Sequence, residues 1–168
     1  MIVTSATAHA IEVGCATLTV SAGLAAWFDG RYRRIPNWLC AVTTAAGFGF
    51  AVWITGFPGA FSYALHFLIA LVGGMVLFRL GVFGGGDAKY YAAVAAWFAL
   101  KQAVALLLAV TTSGLILLIV WFVARRVAGM PIRRSTGAGL DGLPYGIAIG
   151  AGAVITATSM IPSASQVV

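Results

Sequence analysis

Long apolar runs separated by short polar breaks dominate the sequence. The hydrocarbon core of a bilayer is about 30 Å thick and needs about 20 helical residues to cross it. By this measure the apolar runs predict six membrane-spanning helices, at residues 11–28, 38–54, 60–80, 88–100, 103–123 and 144–161. The pattern therefore predicts an all-α, polytopic membrane protein. Residues 1–168 form a single six-helix bundle in this prediction, with no separate extramembrane domain.

Composition agrees with a membrane protein and excludes several other classes. Hydrophobic residues make up 61% of the chain and charged residues 8%, against about 25% charged residues in typical globular domains. The net charge is +6, but no nucleic-acid-binding motif accompanies the basic clusters, so we expect no nucleic-acid partner. Cys15 and Cys40 each lie inside an apolar run, and His9 and His66 are isolated. We therefore expect no metal, no cofactor and no disulfide.

The basic residues predict the orientation in the membrane. If six helices alternate across the bilayer, one side receives Arg31, Arg33, Arg34, Arg79, Lys89, Arg125, Arg126, Arg133 and Arg134, and only Lys101 falls on the other. By the positive-inside rule the basic side is cytoplasmic. We predict a multi-pass protein of the cytoplasmic (inner) membrane, in contact with its lipid, whose two termini lie outside.

The same orientation places two carboxylates at one face. Asp29 falls at the cytoplasmic end of the first predicted helix and Asp87, after three glycines, at that of the fourth. A carboxylate flanked by apolar runs is costly in lipid and therefore indicates a functional site. The alternative for Asp87 is a helix N-cap that follows a glycine turn. Of the other two acids, Glu12 is interpreted as interfacial and Asp141 as part of a solvated turn.

The fourth predicted helix is short. Residues 88–100 reach only about 20 Å, so a helix anchored near Lys101 would begin below the cytoplasmic surface and sink Asp87 into the membrane. Residues 82–86 would then form a non-helical re-entry. A thinned bilayer or a tilted neighbour would explain the short helix equally well.

Paired carboxylates without a His, Cys or Ser partner suit acid–base hydrolysis. One ionised carboxylate can activate a water molecule while the other, still protonated, donates to the scissile carbonyl oxygen. Two other classes stay open. Asp87 on a broken helix could bind a proton or cation in a small transporter, or the chain could be a non-catalytic membrane subunit of an assembly machine.

Three segments, in the same order along the chain, resemble the type IV prepilin peptidase family. Residues 29–37, DGRYRRIPN, are similar to that family's segment of an aspartate, basic residues and Ile-Pro-Asn. Residues 84–89, GGGDAK, resemble its GxGD signature, and residues 143–146, LPYG, its closing segment. The resemblance implies an intramembrane aspartyl protease that removes the leader of prepilins at the cytoplasmic face, cutting after a glycine.

The resemblance also assigns site residues and a partner. It implies that Asp29 and Asp87 are catalytic, and that the motif residues at the site are Gly84, Gly86, Lys89, Pro36 and Asn37. The expected partner is a prepilin with a basic leader and a transmembrane N-terminal helix.

The size of the chain resembles the minimal form of the family that serves tight-adherence (Flp-type) pili, although archaeal preflagellin peptidases are also compact. Larger members carry a cytoplasmic insertion with paired cysteines and also methylate the new N-terminus. This chain lacks the insertion, so we expect peptidase activity without methylation. The presenilin and signal-peptide-peptidase group shares GxGD, but the Ile-Pro-Asn segment and the small size argue against it. Gly146 and Gly150 have a spacing that permits close helix packing, which we expect inside the protein.

Overall fold

The computed structural model of the protein describes residues 5–128 and 145–159. Every element in these ranges is helical: α1 (Ser5–Tyr32), α2 (Asn37–Arg79), α3 (Gly85–Ala95), a 3₁₀ helix (Leu100–Gln102), α4 (Ala103–Val127) and α5 (Tyr145–Thr158). The all-α prediction is confirmed for this part of the chain. Asp141, Arg133, Arg134 and the predicted start of the last helix at Pro144 lie outside the described residues.

Helix α2 consists of two segments that fold back on each other at Gly56. This residue has φ +68° and ψ 176°, a non-helical conformation that glycine adopts readily. The rings of Phe48 and Phe67 contact each other with centroids 5.5 Å apart, and Ala51 shares a buried cluster with Tyr63. Since these partners run in opposite order along the chain, the second segment (57–79) lies antiparallel to the first (37–55). The turn predicted at 55–59 lies at this fold-back.

Three of the described helices are long and apolar enough to cross a membrane: Thr7–Tyr32, Asn37–Arg79 and Leu100–Val127. The second of these contains the fold-back at Gly56. Helix α5 is apolar but has 14 residues, and α3 has 11. These lengths support a membrane protein, while the count of six spanning helices stays a prediction.

The two segments of α2 enclose α3 and the turn that follows it. Residues 92–98 are all buried. Trp97 Nε1 donates a hydrogen bond to the carbonyl oxygen of Thr43 in the first segment, at 2.9 Å. His66 Nδ1, in the second segment, lies 2.9 Å from the carbonyl oxygen of Phe98. The two segments of α2 thus hold α3 and the turn after it from both sides. A helix of 11 residues has little apolar surface of its own, so it depends on such contacts.

Helix α5 packs between α1 and α4 through small residues. A methyl group built on Gly150 would lie 3.1 Å from Ala22 Cβ, and one built on Gly152 would lie 2.6 Å from backbone atoms of Val110. Glycine at these positions allows the helices to approach this closely. The packing predicted from the spacing of Gly146 and Gly150 is confirmed, because Gly150 contacts α1 inside the protein.

The boundaries of α3 correct the predicted fourth helix. The helix begins at Gly85 instead of residue 88 and ends at Ala95 instead of residue 100. Gly85 and Gly86 are therefore helical, and the prediction that all of 82–86 is non-helical is wrong. The early end is stabilised by side chains: the N–H of Ala99 donates to Gln102 Oε1 and that of Leu100 to Ser62 Oγ, each at 3.0 Å. These bonds satisfy donors that a continued helix would have paired.

Replacing Gly152 with alanine should destabilise the protein, whereas the same change at Gly23 should not. The new methyl group at Gly152 meets the backbone of α4, so α4 and α5 must separate. At Gly23 nothing lies within 4 Å, and alanine favours a helix by about 1 kcal/mol over glycine. The measurement is the thermal unfolding midpoint of both variants in detergent. Equal midpoints would contradict tight packing between α4 and α5.

Candidate active site

Asp29 and Asp87 line one open cavity of about 290 Å³, at the end of the bundle where α1 ends and α3 begins. The other residues that line it are Arg33, Arg34, Ile35, Asn37, Gly84, Gly85, Gly86 and Lys89. The structure therefore brings the two predicted site carboxylates together with four of the five predicted motif residues. Pro36, the fifth, contributes as the N-cap of α2, with φ −63° and ψ 139°.

Asp29 lies in the last turn of α1, not in the loop that follows the helix, and is 7% exposed. Its Oδ2 accepts a hydrogen bond from the N–H of Gly146, at 2.6 Å. Gly146 is the second residue of α5, and N–H groups in a first helical turn have no acceptor within their own helix. The positive end of the helix dipole also favours a negative group here. The start of α5 therefore holds the Asp29 carboxylate in place.

Gly146 is needed for this contact. A methyl group built on it would lie 2.9 Å from Asp29 Oδ2 and 3.1 Å from Ile35 Cδ1. Ile35, 7% exposed, also lies beside Gly86, where an added methyl group would come within 3.6 Å of the Ile35 backbone nitrogen. Ile35 thus fills the space between Gly146, which binds Asp29, and Gly86, which precedes Asp87.

The chain leaves α1 through Arg33, which has φ +54°. This left-handed conformation is unfavourable for a residue with a side chain, and a non-glycine residue there is often found at functional sites. The N–H of Arg33 donates to the carbonyl oxygen of Asp29 at 3.0 Å and completes the helix end. The turn returns the chain to the cavity, so that Arg33 and Ile35 both line it.

Asp87 occupies the third position of α3, and the N-cap residue is Gly84. The interpretation of Asp87 as the N-cap is therefore wrong. The Asp87 carboxylate folds back over Gly84, since a methyl group built on that glycine would lie 2.6 Å from Asp87 Oδ2. The absence of a side chain at Gly84 leaves the space that the carboxylate occupies.

Lys89 joins α3 to α2 beside the cavity. Its Nζ donates to Asn37 Oδ1 at 3.2 Å, which links the second turn of α3 to the first residue of α2. Both residues are exposed, so the bond adds little to stability. It does position two polar groups at the cavity rim, next to Arg34.

The remaining acids lie elsewhere, and two site residues were missed. Glu12 is exposed on α1 and lies about 25 Å along the helix from Asp29. Asp141 lies outside the described residues. Sequence reasoning did not assign Ile35 or Gly146 to the site, although the Ile-Pro-Asn and Leu-Pro-Tyr-Gly segments contain them. No local pattern shows that a buried isoleucine and a helical glycine meet the same carboxylate.

Burial, with a further contribution from the neighbouring Asp29 carboxylate, raises the pKa of Asp87 to about 6. Asp87 lies outside the three candidate spanning helices. Because each carboxylate affects the other, protons leave the two groups in steps that belong to the pair.

We expect the protein to lose stability as the pH rises through about 6. The folded protein binds the Asp87 proton more tightly than the unfolded chain, where the pKa is near the ordinary value of 3.8. This contribution is complete below about pH 4 and is lost above about pH 6. Thermal unfolding in detergent between these limits should show the loss in the wild-type protein and a smaller one in Asp87→Asn. Identical pH profiles would contradict the raised pKa.

Comparison with known protein families agrees with the geometry. The model of the type IV leader peptidase family matches residues 16–121, more than half of the chain. The matched region includes both carboxylates and ends before α5, which supplies Gly146. Neither the curated proteins nor the solved structures include a significant match. The match covers the first two of the three sequence segments, at residues 29–37 and 84–89, and shows that this chain belongs to the type IV leader peptidase family.

Proposed function

We propose that the protein is a prepilin leader peptidase, an aspartic endopeptidase that hydrolyses the leader of type IV, Flp-like prepilins. Membership of the family already implies a membrane protease that acts on a protein substrate. The observation that carries the finer proposal is that Asp29 and Asp87 line one cavity. Two carboxylates at one site, without a nucleophilic side chain between them, are suited to activating water.

The environments of the two acids support different roles. The N–H of Gly146 can only donate, so Asp29 Oδ2 is fixed as a hydrogen-bond acceptor at the start of a helix. Asp87 has a raised pKa and keeps its proton more readily. We assign Asp29 as the general base and Asp87 as the general acid, a division that follows from these environments.

In this mechanism the oxygen of a water molecule attacks the scissile carbonyl carbon. As this bond forms, Asp29 takes a proton from the water molecule, and Asp87 donates its proton to the carbonyl oxygen. The tetrahedral intermediate then collapses, the C–N bond breaks, and the leaving amine takes the proton that Asp29 received. Asp87 recovers a proton from the hydroxyl group of the intermediate, so both carboxyl groups return to their starting forms.

The length of α4 supports a site below the cytoplasmic surface. Gly114 of α4 lies beside Tyr145 at the start of α5, and α4 continues to Val127, about 20 Å further. Arg125 and Arg126 lie in its last turn. If these arginines mark the cytoplasmic surface, the cavity lies within the membrane and opens toward the cytoplasm. Both termini would then lie outside.

Asp29→Asn and Asp87→Asn should each lower leader removal by at least about 100-fold, since each substitution removes a group that transfers a proton. The measurement is co-expression with a small pilin that carries a short basic leader, followed by separation of precursor and mature forms. Glu12→Gln, which changes an exposed acid far from the cavity, is the matched control. Intact leader removal by either Asn variant would exclude the two-carboxylate mechanism.

Gly84→Ala should lower kcat by about tenfold or more while Gly30→Ala leaves it unchanged. The new methyl group at Gly84 displaces the Asp87 carboxylate, whereas nothing lies within 4 Å of a methyl group at Gly30. A misplaced acid costs transition-state stabilisation more than binding. Steady-state cleavage of a prepilin by the two purified variants makes the comparison. A loss of the same size at Gly30 would mean that the effect is unrelated to Asp87.

A further inference from the structure

A second cavity, of about 340 Å³, lies beside the site and has apolar walls. One wall is the second segment of α2, whose lining residues between 66 and 77 recur at helical spacing. The opposite wall is α4 between residues 103 and 111, and Ala88 and Tyr91 of α3 lie between the two walls. Three of the α2 residues that line the cavity, Ala70, Gly73 and Gly74, have a small side chain or none, which leaves more room in the cavity. Small residues of this kind permit close approach of another helix.

Residues that line this cavity are direct chain neighbours of residues at the candidate active site. Ala88 follows Asp87 directly, while Phe83 and Tyr145 line the cavity and directly precede Gly84 and Gly146. The rings of Phe83 and Tyr145 contact each other edge to face, with centroids 5.4 Å apart. An occupant of the apolar cavity would therefore lie close to the candidate active site.

His66 provides a polar group inside this apolar space. The residue is 2% exposed and lines the cavity. Its Nδ1 lies 2.9 Å from the Phe98 carbonyl oxygen, which can only accept, so Nδ1 carries a proton. In the neutral ring Nε2 is then an acceptor, and among the described residues no partner is present for it. No fully enclosed side-chain nitrogen or oxygen in this part of the chain lacks a partner. His66 Nε2 is therefore reached from the cavity.

An unpaired acceptor in an apolar environment is costly, which indicates a ligand that donates a hydrogen bond. A lipid acyl chain would fill the apolar space but has no donor for His66. A helix of a protein substrate offers both an apolar surface and side-chain donors.

We propose that this cavity binds the apolar helix that follows the scissile bond of the substrate, and that His66 Nε2 accepts a hydrogen bond from that helix. The inference rests on the proposed function. Helix α3 ends at Ala95, eight residues or about 12 Å after Asp87, and Phe98 lies three residues further on. His66 lies eight residues before Gly74, about 12 Å along α2. The donor is therefore about 8 to 11 residues beyond the cleaved bond.

Gly73→Leu tests the occupancy of the cavity, because nothing lies within 4 Å of a Cβ atom built on Gly73. Gly49→Leu is the matched control, since Gly49 is exposed in the first segment of α2 and equally free of neighbours. We expect Gly73→Leu to raise KM for a full-length prepilin at least about tenfold with little change in kcat. Cleavage of a peptide that ends six residues after the scissile bond should be unaffected. Equal effects on both substrates, or no effect, would overturn the proposal.

His66→Leu and His66→Gln test the hydrogen bond. Glutamine keeps a donor for the Phe98 carbonyl oxygen and an acceptor for the substrate, so we expect it to restore most of the full-length cleavage that leucine loses. Leucine also loses the bond to Phe98, and its effect on the short peptide measures that structural part. Replacing the donors at substrate positions 8 to 11 with leucine should reduce the effect of His66→Leu to the effect seen with the short peptide. A larger effect of His66→Leu on that substrate than on the short peptide would overturn the role of His66.

Photo-crosslinking separates this proposal from the proposed function. A benzophenone side chain at position 73, in the Asp87→Asn background, should capture a co-expressed prepilin, and one at position 49 should not. Capture of lipid alone at position 73 would overturn the cavity proposal even if the wild-type enzyme is active. Capture of the prepilin at position 73, together with a wild-type protein that cleaves neither substrate, would leave the binding site standing and reject the peptidase function.

Discussion

The hydrogen bond from the Gly146 N–H to the Asp29 carboxylate is the contact on which the site depends. It joins the last turn of α1 to the first turn of α5, and it gives a buried negative group the unpaired donor of a helix start. A buried carboxylate without such a partner would be strongly destabilising. The same contact explains why glycine stands at position 146 and why Ile35 lies against it.

The carboxylate of Asp87 is positioned in a different way. Asp87 belongs to α3, which is short and completely enclosed at its far end, where the two segments of α2 bond to Trp97 and Phe98. Because α3 is held there, its first turn is a rigid platform for Asp87. One acid is thus fixed by a hydrogen bond from another helix, and the other by the placement of its own helix.

Much of this arrangement can be predicted from the sequence, but not all of it. Apolar runs and basic clusters predict the helices and the shared face of Asp29 and Asp87, since these depend on local composition and alternation. Local patterns cannot predict that α3 ends at Ala95, because the segment after it is bonded by side chains that include Ser62 of α2. The roles of Ile35 and Gly146 likewise arise only when distant segments pack together.

The position of α5 has a consequence for biosynthesis. Asp29 leaves the ribosome early, while the donor that stabilises its carboxylate belongs to the final helix described here. During translation the acid has no such partner, and it acquires one only when α5 inserts between α1 and α4. A partly made chain therefore already contains both acids, yet it lacks the backbone group that aligns one of them.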